Sequence, residues 1–337
     1  MFLVKNMFEV VTFDEQFETA WDNFVEEKAV NGTFLQTRRF LNYHPMGRFQ
    51  DASCLIFDDK KHLVAVCPAC VRMIDDKKVV YSHAGSSYGG ILIDRKWYKA
   101  GKVIEMIQAL ENYLGENGYD RIIVKQTPSL FAAESADLLQ YCFFYLGYHS
   151  YSELNLYVDL EKYNENILSE FSQGKRTDVH NCQKRGLYVR KLTSFSEIVQ
   201  LHGLLGKTLK KYNIEPIHTA EELYDFQTAR LQDECECFGV FEKEKMAAGS
   251  MMFYFKKVGV AHTQYLCADP AYSRLSPMTY LYYAMLVEMR KRGYQKVSWG
   301  AGTEKMGLYI NEGLVKSKEY YGSKYSINPI FIKDLCR

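Results

Sequence analysis

The chain carries almost no net charge: its 337 residues hold 42 Lys and Arg against 41 Asp and Glu, a formal charge of +1. That balance excludes a general polyanion binder, which needs a basic excess, and leaves room only for a local basic patch. A short, even-numbered cysteine framework is missing as well. Nine cysteines, an odd number spread over a long chain, fit a reducing compartment better than a disulfide-stapled secreted fold. Met1 to Val11 mixes Lys5, Asn6 and Glu9 into its apolar residues, so it lacks the apolar core of a signal peptide. No stretch reaches the roughly 18 uncharged apolar residues of a membrane helix; the densest, Leu138 to Tyr148, is short and Tyr-rich. There is no Gly-x-Ser-x-Gly elbow, Walker loop or dinucleotide fingerprint. Cys67-Pro68-Ala69-Cys70 has metal-like spacing without a second Cys pair or a His cluster, and Cys235 and Cys237 flank a strand start. Both pairs read as core residues, and no metal is expected. The expectation is a cytoplasmic globular protein of two compact domains, rich in aromatic surface, with 26 Tyr and 20 Phe.

What is present is a weak internal repeat. Leu55-Ile56-Phe57, a charged turn Asp58 to Lys61, and Leu63-Val64-Ala65 parallel Gly239-Val240-Phe241, the turn Glu242 to Lys245, and Ala247-Ala248-Gly249, both as β-hairpins. Val103, Ile107, Leu110 and Leu114 lie at helical spacing, as do Leu281, Met285 and Met289. Each helix ends in a Gly-Tyr pair, Gly118-Tyr119 or Gly293-Tyr294, followed by a strand. A second short helix and another glycine follow, in Phe143 to Tyr148 and in Tyr309 to Leu314. The three pairs keep their order with offsets of 184, 175 and 166 residues, the last pairing Phe143 with Tyr309. Each half then reads as a mixed, mostly antiparallel sheet with helices packed on it, an α/β (α+β) architecture. The expected parts are residues 1–160, a basic helical link 161–193, and residues 194–337.

This order of elements resembles the GNAT acyltransferase fold, and its duplication resembles the tandem-GNAT group that includes the FemABX-type aminoacyl transferases. Three stretches carry the resemblance: Thr33-Phe34-Leu35-Gln36-Thr37, the link Lys175-Arg176…Lys184-Arg185-Gly186, and Gly307-Leu308-Tyr309…Gly313-Leu314. Leu308-Tyr309-Ile310-Asn311-Glu312-Gly313-Leu314 fits the family's Leu-Tyr-x-x-x-Gly-Phe pattern on a short helix. The resemblance makes Tyr309 the acid that protonates a departing CoA thiolate, a role a phenol at hydrogen-bond distance can fill. Phe143 has no hydroxyl, so the chemistry is expected in the second half and acceptor binding or scaffolding in the first.

Acetyl-CoA or another acyl-CoA is the expected co-substrate, with Arg274, Ser276 and Thr279 as its contacts. The turn Tyr272 to Pro277 nevertheless lacks the glycines that let a phosphate approach a helix N-terminus. The FemABX branch also shows a Phe-Lys pair near the final glycine, and at the expected place stands Ile310-Asn311. On the strand Val258 to Asp269, alternation puts His262, Gln264 and Leu266 on one face and Thr263, Tyr265 and Cys267 on the other. His262 or Tyr265 is a candidate to deprotonate an acceptor amine, with Glu304 as the acidic competitor; Glu304 otherwise belongs to a helix start capped by Thr303. Lys175, Arg176 and Lys184, with Gln36, are the candidate acceptor contacts, and a helical link puts Arg176, His180 and Lys184 on one face. The implied reaction moves an acyl group to an amine of a sugar, amino acid or cell-envelope precursor. Aminoacyl transfer from tRNA, or ligand binding without catalysis, are the alternatives. The residues do not specify an oligomeric state.

Overall fold

The computed structural model describes residues 7–45, 47–135, 137–210 and 214–335. The first six residues, part of the segment compared with a signal peptide, and Cys336 lie outside them. The other eight cysteines are free and buried, and burial pushes the Cys67 thiol up to about 12.

The chain divides into two compact units. The first contains β1 (Glu9–Thr12), α1 (Glu18–Asn23), α2 (Arg38–Leu41), β2 (Cys54–Phe57), β3 (Leu63–Cys67), β4 (Cys70–Ile74), β5 (Lys77–Ser82), β6 (Leu92–Ile93), α3 (Ala100–Glu116), β7 (Arg121–Lys125) and α4 (Asp137–Tyr145). β8 (His149–Asp159) leads into the second unit, followed by α5 (Gln173–Lys184), β9 (Tyr188–Lys191), α6 (Phe195–Lys210), α7 (Ala220–Asp225), β10 (Cys235–Glu242), β11 (Lys245–Phe255), β12 (Val260–Ala268), α8 (Pro277–Lys291) and β13 (Lys296–Ala301). β14 (Thr303–Glu304), β15 (Tyr309–Ile310), α9 (Glu312–Glu319) and β16 (Lys324–Asp334) complete the chain.

Within the first unit, one sheet runs β1-β2-β3-β6, and β4, β5, β7 and the end of β16 are neighbours in another. In the second unit, the end of β8 is followed by β13, β12, β11, β10 and β9. The β5/β7 and β12/β13 pairs are parallel and the other registered pairs antiparallel. Both expected hairpins form, as β2/β3 and β10/β11. α3 buries Val103, Met106, Ile107, Leu110 and Leu114, and α8 buries Leu281, Tyr282, Met285, Leu286 and Met289. This is the apolar stripe that holds an amphipathic helix on a sheet.

The unit boundaries differ from the expected ones. The first unit comprises residues 1–153, 304–309 and 327–337, and the second 154–303 and 310–326. Residues 161–193 do not stand apart as a link: α5 buries Val179 and Cys182 and packs on α8 inside the second unit. β16 pairs with β7, and β8 pairs with β13, so the last strand of each repeat completes the sheet of the other.

The repeat itself is more regular than its sequence suggests. Asp94 and Asp269 each accept a bond from the amide two residues on. α4 begins at 137 and α9 at 312, while β8 spans 149–159 and β16 spans 324–334, all 175 residues apart. The expected offset of 166 at the last helix is therefore corrected. Gly147 and Gly322 are the equivalent glycines, both left-handed at φ 78° and 70°. The carbonyl of Phe143 accepts from the Tyr148 amide at 3.0 Å, and that of Lys318 accepts from the Ser323 hydroxyl at 2.7 Å. Gly313 lies inside α9 instead of after it. The residue equivalent to Phe143 is Lys318, and Tyr309 precedes the helix.

Candidate functional site

The parallel pairing of β12 with β13 spans only Val260↔Lys296, Ala261↔Val297 and His262↔Ser298. Beyond that point β12 continues along β11 and β13 continues along β8. His262 and Ser298 thus stand where the two strands part, and such a parting exposes main-chain groups between them. A bulge at Gln264 shifts the β11/β12 register, so His262 pairs with Phe253, Tyr265 with Met251 and Cys267 with Gly249. His262 and Tyr265 consequently share a face, in place of the alternation expected from sequence, because one extra residue reverses the strand's phase. The opposite face carries Ala261, Leu266 and Ala268 in a core with Leu281, Met285 and Met289 of α8.

A polar chain, buried at Ser298 and Asn155 and half-buried at His262 and Ser326, runs through this point. His262 Nδ1 lies 3.0 Å from Ser298 Oγ, Ser298 Oγ donates to Asn155 Oδ1 at 3.3 Å, and Asn155 Nδ2 donates to Ser326 Oγ at 2.9 Å. Lys318 is 4% exposed and donates from Nζ to the carbonyls of Gly300 and Ala301 at 3.1 and 2.9 Å. Burial lowers its ammonium to about 8. Burial, and secondarily the Lys318 charge, push the His262 imidazole down to about 3, so His262 is neutral at pH 7 and a weak proton acceptor in this setting. Gly300 has φ +81°, and a Cβ there would lie 3.6 Å from His262 Cε1. At the equivalent places the first repeat has Ile123 for Ser298, Ile330 for Asn155 and Phe143 for Lys318. Ile123 and Ile330 pack together with Val79, and Phe143 stacks on Phe331 at 4.5 Å. A buried lysine and a buried amide are expensive to desolvate, and here they replace apolar core residues of an otherwise matching scaffold. Sequence comparison missed Lys318, Ser298 and Asn155; anchoring the repeat on Gly147 and Gly322 would have found them.

Tyr265 hydrogen-bonds His218 Nδ1. His218 is buried, its carbonyl accepts from His202 Nε2 at 3.1 Å, and its ring packs edge-on to Tyr265 and Phe226.

The other expected residues divide clearly. Tyr309 is exposed on β15, outside the helix expected to hold it, and belongs to the first unit by compactness. Glu304 is exposed on β14; no helix starts there, since Thr303 is a strand residue whose hydroxyl accepts from the Leu154 amide. Gln36 is fully buried, and its amide accepts from Thr33 and donates to Gly89 O and Thr127 Oγ1. Its bonding capacity is filled by the fold, so Gln36 acts as a structural brace here. Thr279 is likewise enclosed, between Lys175 Nζ and the Tyr321 hydroxyl, each at 3.2 Å. Ser276 is the left-handed residue (φ 54°) before Pro277 opens α8. Arg274 is exposed beside a cleft of about 440 Å³ shared with Arg185, Lys245 and Tyr272.

In the basic segment, Arg185 pairs with Glu242, Arg190 with Glu197, Lys191 with Glu236 and Lys175 with Asp178. Among the described residues Arg176 and Lys184 make no ion pair, and they share the outward side of α5 with His180. No group of three metal-ligating side chains occurs among the described residues, and none of their helices is long and apolar enough to cross a membrane.

Residues 175–306 match the family model of the acetyltransferase (GNAT) domain. The structure of FemX superposes with a TM-score of 0.67 at 11% identity over 96% of both chains. This is the tandem GNAT fold. L-PGS from Bacillus licheniformis shares it with a TM-score of 0.61 at 13% identity, over 95% of this chain and 92% of that one. So does a tandem GNAT protein from the clavulanic acid biosynthesis pathway, with a TM-score of 0.55 at 11% identity over 98% and 99%. No curated protein matches the sequence. In this GNAT fold the strand fork, with His262 and Ser298, lies inside the segment that the family model matches, and Asn155, Lys318 and Ser326 reach it from outside that segment.

Proposed function

We propose that the second repeat is an acyltransferase site, moving an acyl group from an activated donor to an amine. The observation that carries this is the His262–Ser298–Asn155 chain with buried Lys318 at the strand fork, where the first repeat keeps an apolar core. Attack of an amine on a thioester or ester carbonyl forms the C–N bond and puts negative charge on the carbonyl oxygen. Lys318, protonated at pH 7 with two N–H groups held by carbonyls, retains a third donor and a charge to stabilise that oxyanion in a dry site. The leaving thiolate takes its proton from Tyr309 in this reading. Acetyl-CoA is the proposed donor, with Arg274 beside its phosphates, and a sugar, amino acid or cell-envelope precursor the acceptor class, contacted by Arg176 and Lys184. The protein would act in the cytoplasm.

A second donor is favoured by two specific observations. The turn before α8 has no glycine, and a buried lysine does stand four residues before the final cap glycine, Gly322. The asparagine at 311 therefore does not count against aminoacyl-tRNA as donor. Calorimetry with acetyl-CoA and desulfo-CoA, on the wild-type chain and Arg274→Ala, tests the first donor. Micromolar binding weakened by the substitution supports it, and no binding up to millimolar ligand refutes it. Aminoacyl-tRNA binding that weakens steeply with salt supports the second. Failure of both donors refutes the catalytic reading and leaves a binding protein.

A further inference from the structure

We infer that Tyr265 and His218 form a two-step proton path for the acceptor nucleophile, with Tyr265 facing the acceptor and His218 the terminal proton acceptor. The inference rests on the acyltransferase reading above and assigns a part of that site that the strand fork alone does not.

Three observations lead there. The Gln264 bulge places Tyr265 on the same face as His262, three residues past the point where β12 leaves β13. Its phenol bonds His218 Nδ1, the residue just before the Thr219–Glu222 capping box that opens α7. That box, with Thr219 accepting from the Glu222 amide and Glu222 from the Thr219 amide, fixes the backbone on which His218 sits. Finally, the pair is peculiar to the second repeat. The matching capping box of the first repeat, Thr33–Gln36, is preceded by Gly32, and two residues before Leu92 stands Gly90, where Tyr265 stands two before Cys267. The scaffold thus forms its sheet and its cap without either side chain.

In the transfer, the acceptor nitrogen bonds the acyl carbon and the carbon–leaving-group bond breaks. The proton released by that nitrogen passes to Tyr265 Oη as the phenolic proton passes to His218 Nδ1. His218 ends as imidazolium, and no oxidant or metal enters the balance. Two hydrogen-bonded groups can move a proton farther than one side chain reaches. The charged or titratable neighbours are Glu222 of α7, which lies near Tyr265, and His202 of α6, which bonds the His218 carbonyl.

The test compares wild type with Tyr265→Phe, His218→Asn and the double variant, measuring kcat, KM and the pH dependence of kcat with the donor that the wild type uses. Asparagine keeps an acceptor for the phenol but takes no proton, so it separates a proton-accepting role from a positioning one. Circular dichroism and calorimetric donor binding establish that each variant is folded with an intact donor site. The expected result is a kcat loss of about 10²- to 10⁴-fold in each single variant, loss of the acidic limb of the pH profile in His218→Asn, and a double variant no slower than the worse single one. Unchanged kcat and pH profile in His218→Asn, or multiplying losses in the double variant, would overturn the path while leaving the acyltransferase reading intact. No transfer by the wild-type chain with either donor would instead refute that reading, and this inference with it.

Discussion

Replacing Lys318 with methionine removes a charge from the core and leaves an unbranched apolar side chain one atom shorter. The lysine ammonium sits at about 8 instead of its ordinary 10.5, because burial disfavours its charged form. A group that binds its proton less tightly folded than unfolded lowers stability wherever the unfolded chain is protonated, so stability rises with pH between the two values. From pH 7 to pH 10 the wild-type chain should gain about 2.5 kcal/mol from this group alone, using about 1.36 kcal/mol per unit. Lys318→Met lacks that gain. At pH 7 the substitution removes a penalty of roughly 3 kcal/mol but leaves the carbonyls of Gly300 and Ala301 without a donor, which costs roughly 1–3 kcal/mol. The variant should therefore be as stable as wild type or up to about 2 kcal/mol more stable at pH 7, while losing transfer activity. Urea unfolding of both proteins at pH 7, 8, 9 and 10 reads the difference directly, since every other titrating group is common to the pair. Parallel stability curves, within about 0.5 kcal/mol over that range, would show that Lys318 is not the buried, destabilised cation described here.

Gln36→Ala should destabilise the chain by roughly 2–4 kcal/mol, because it strands the Thr33 amide and the groups around Gly89 and Thr127; donor binding measured under native conditions should be unchanged, and a selective loss of acceptor affinity would restore it as a ligand contact. Tyr309→Phe should leave the melting temperature within about 1 °C, as expected for an exposed residue. Its effect on kcat should grow as the leaving group becomes more basic; an equal effect on thioester and aryl ester donors would refute its role as acid.

Much of the fold is legible in the sequence because it depends on short-range signals. Helical spacing at Val103, Ile107, Leu110 and Leu114, glycine caps at Gly118 and Gly293, and charged turns between apolar triplets each act within a few residues. The sequence places the last helix too early because Gly313 looks like a cap. Asn311 captures the helix start instead, its side chain accepting from the Leu314 amide, and a capped start outweighs one helical glycine. Capped at Asn311, the helix brings Lys318, and not Tyr309, to the place of Phe143. The shared face of His262 and Tyr265 was hidden by the bulge at Gln264, which the pairing of β11 with β12 imposes and no local signal announces. Nor does composition distinguish the six basic residues of 175–191, four of which are neutralised by acids, two of them, Glu236 and Glu242, distant in sequence.

The duplicated scaffold also supplies a test of whether the polar chain is retained for chemistry or for folding. Ser298 and Asn155 are fully or almost fully buried and bonded to each other, and Ser298 also meets His262. Ser298→Ala alone deprives Asn155 Oδ1 and His262 Nδ1 of a partner and should cost roughly 1–3 kcal/mol. Asn155→Leu alone removes the other end and should cost a similar amount. Making both changes replaces a hydrogen-bonded pair by two apolar side chains, as the first repeat has done with Ile123 and Ile330, so the double variant should be more stable than the sum of the single losses predicts by about 1 kcal/mol or more. Activity should not recover with it, because His262 then faces an apolar neighbour at the strand fork. A chain that regains both stability and transfer would mean that the polar residues serve neither purpose; strictly additive losses would mean that Ser298 and Asn155 do not act as a unit.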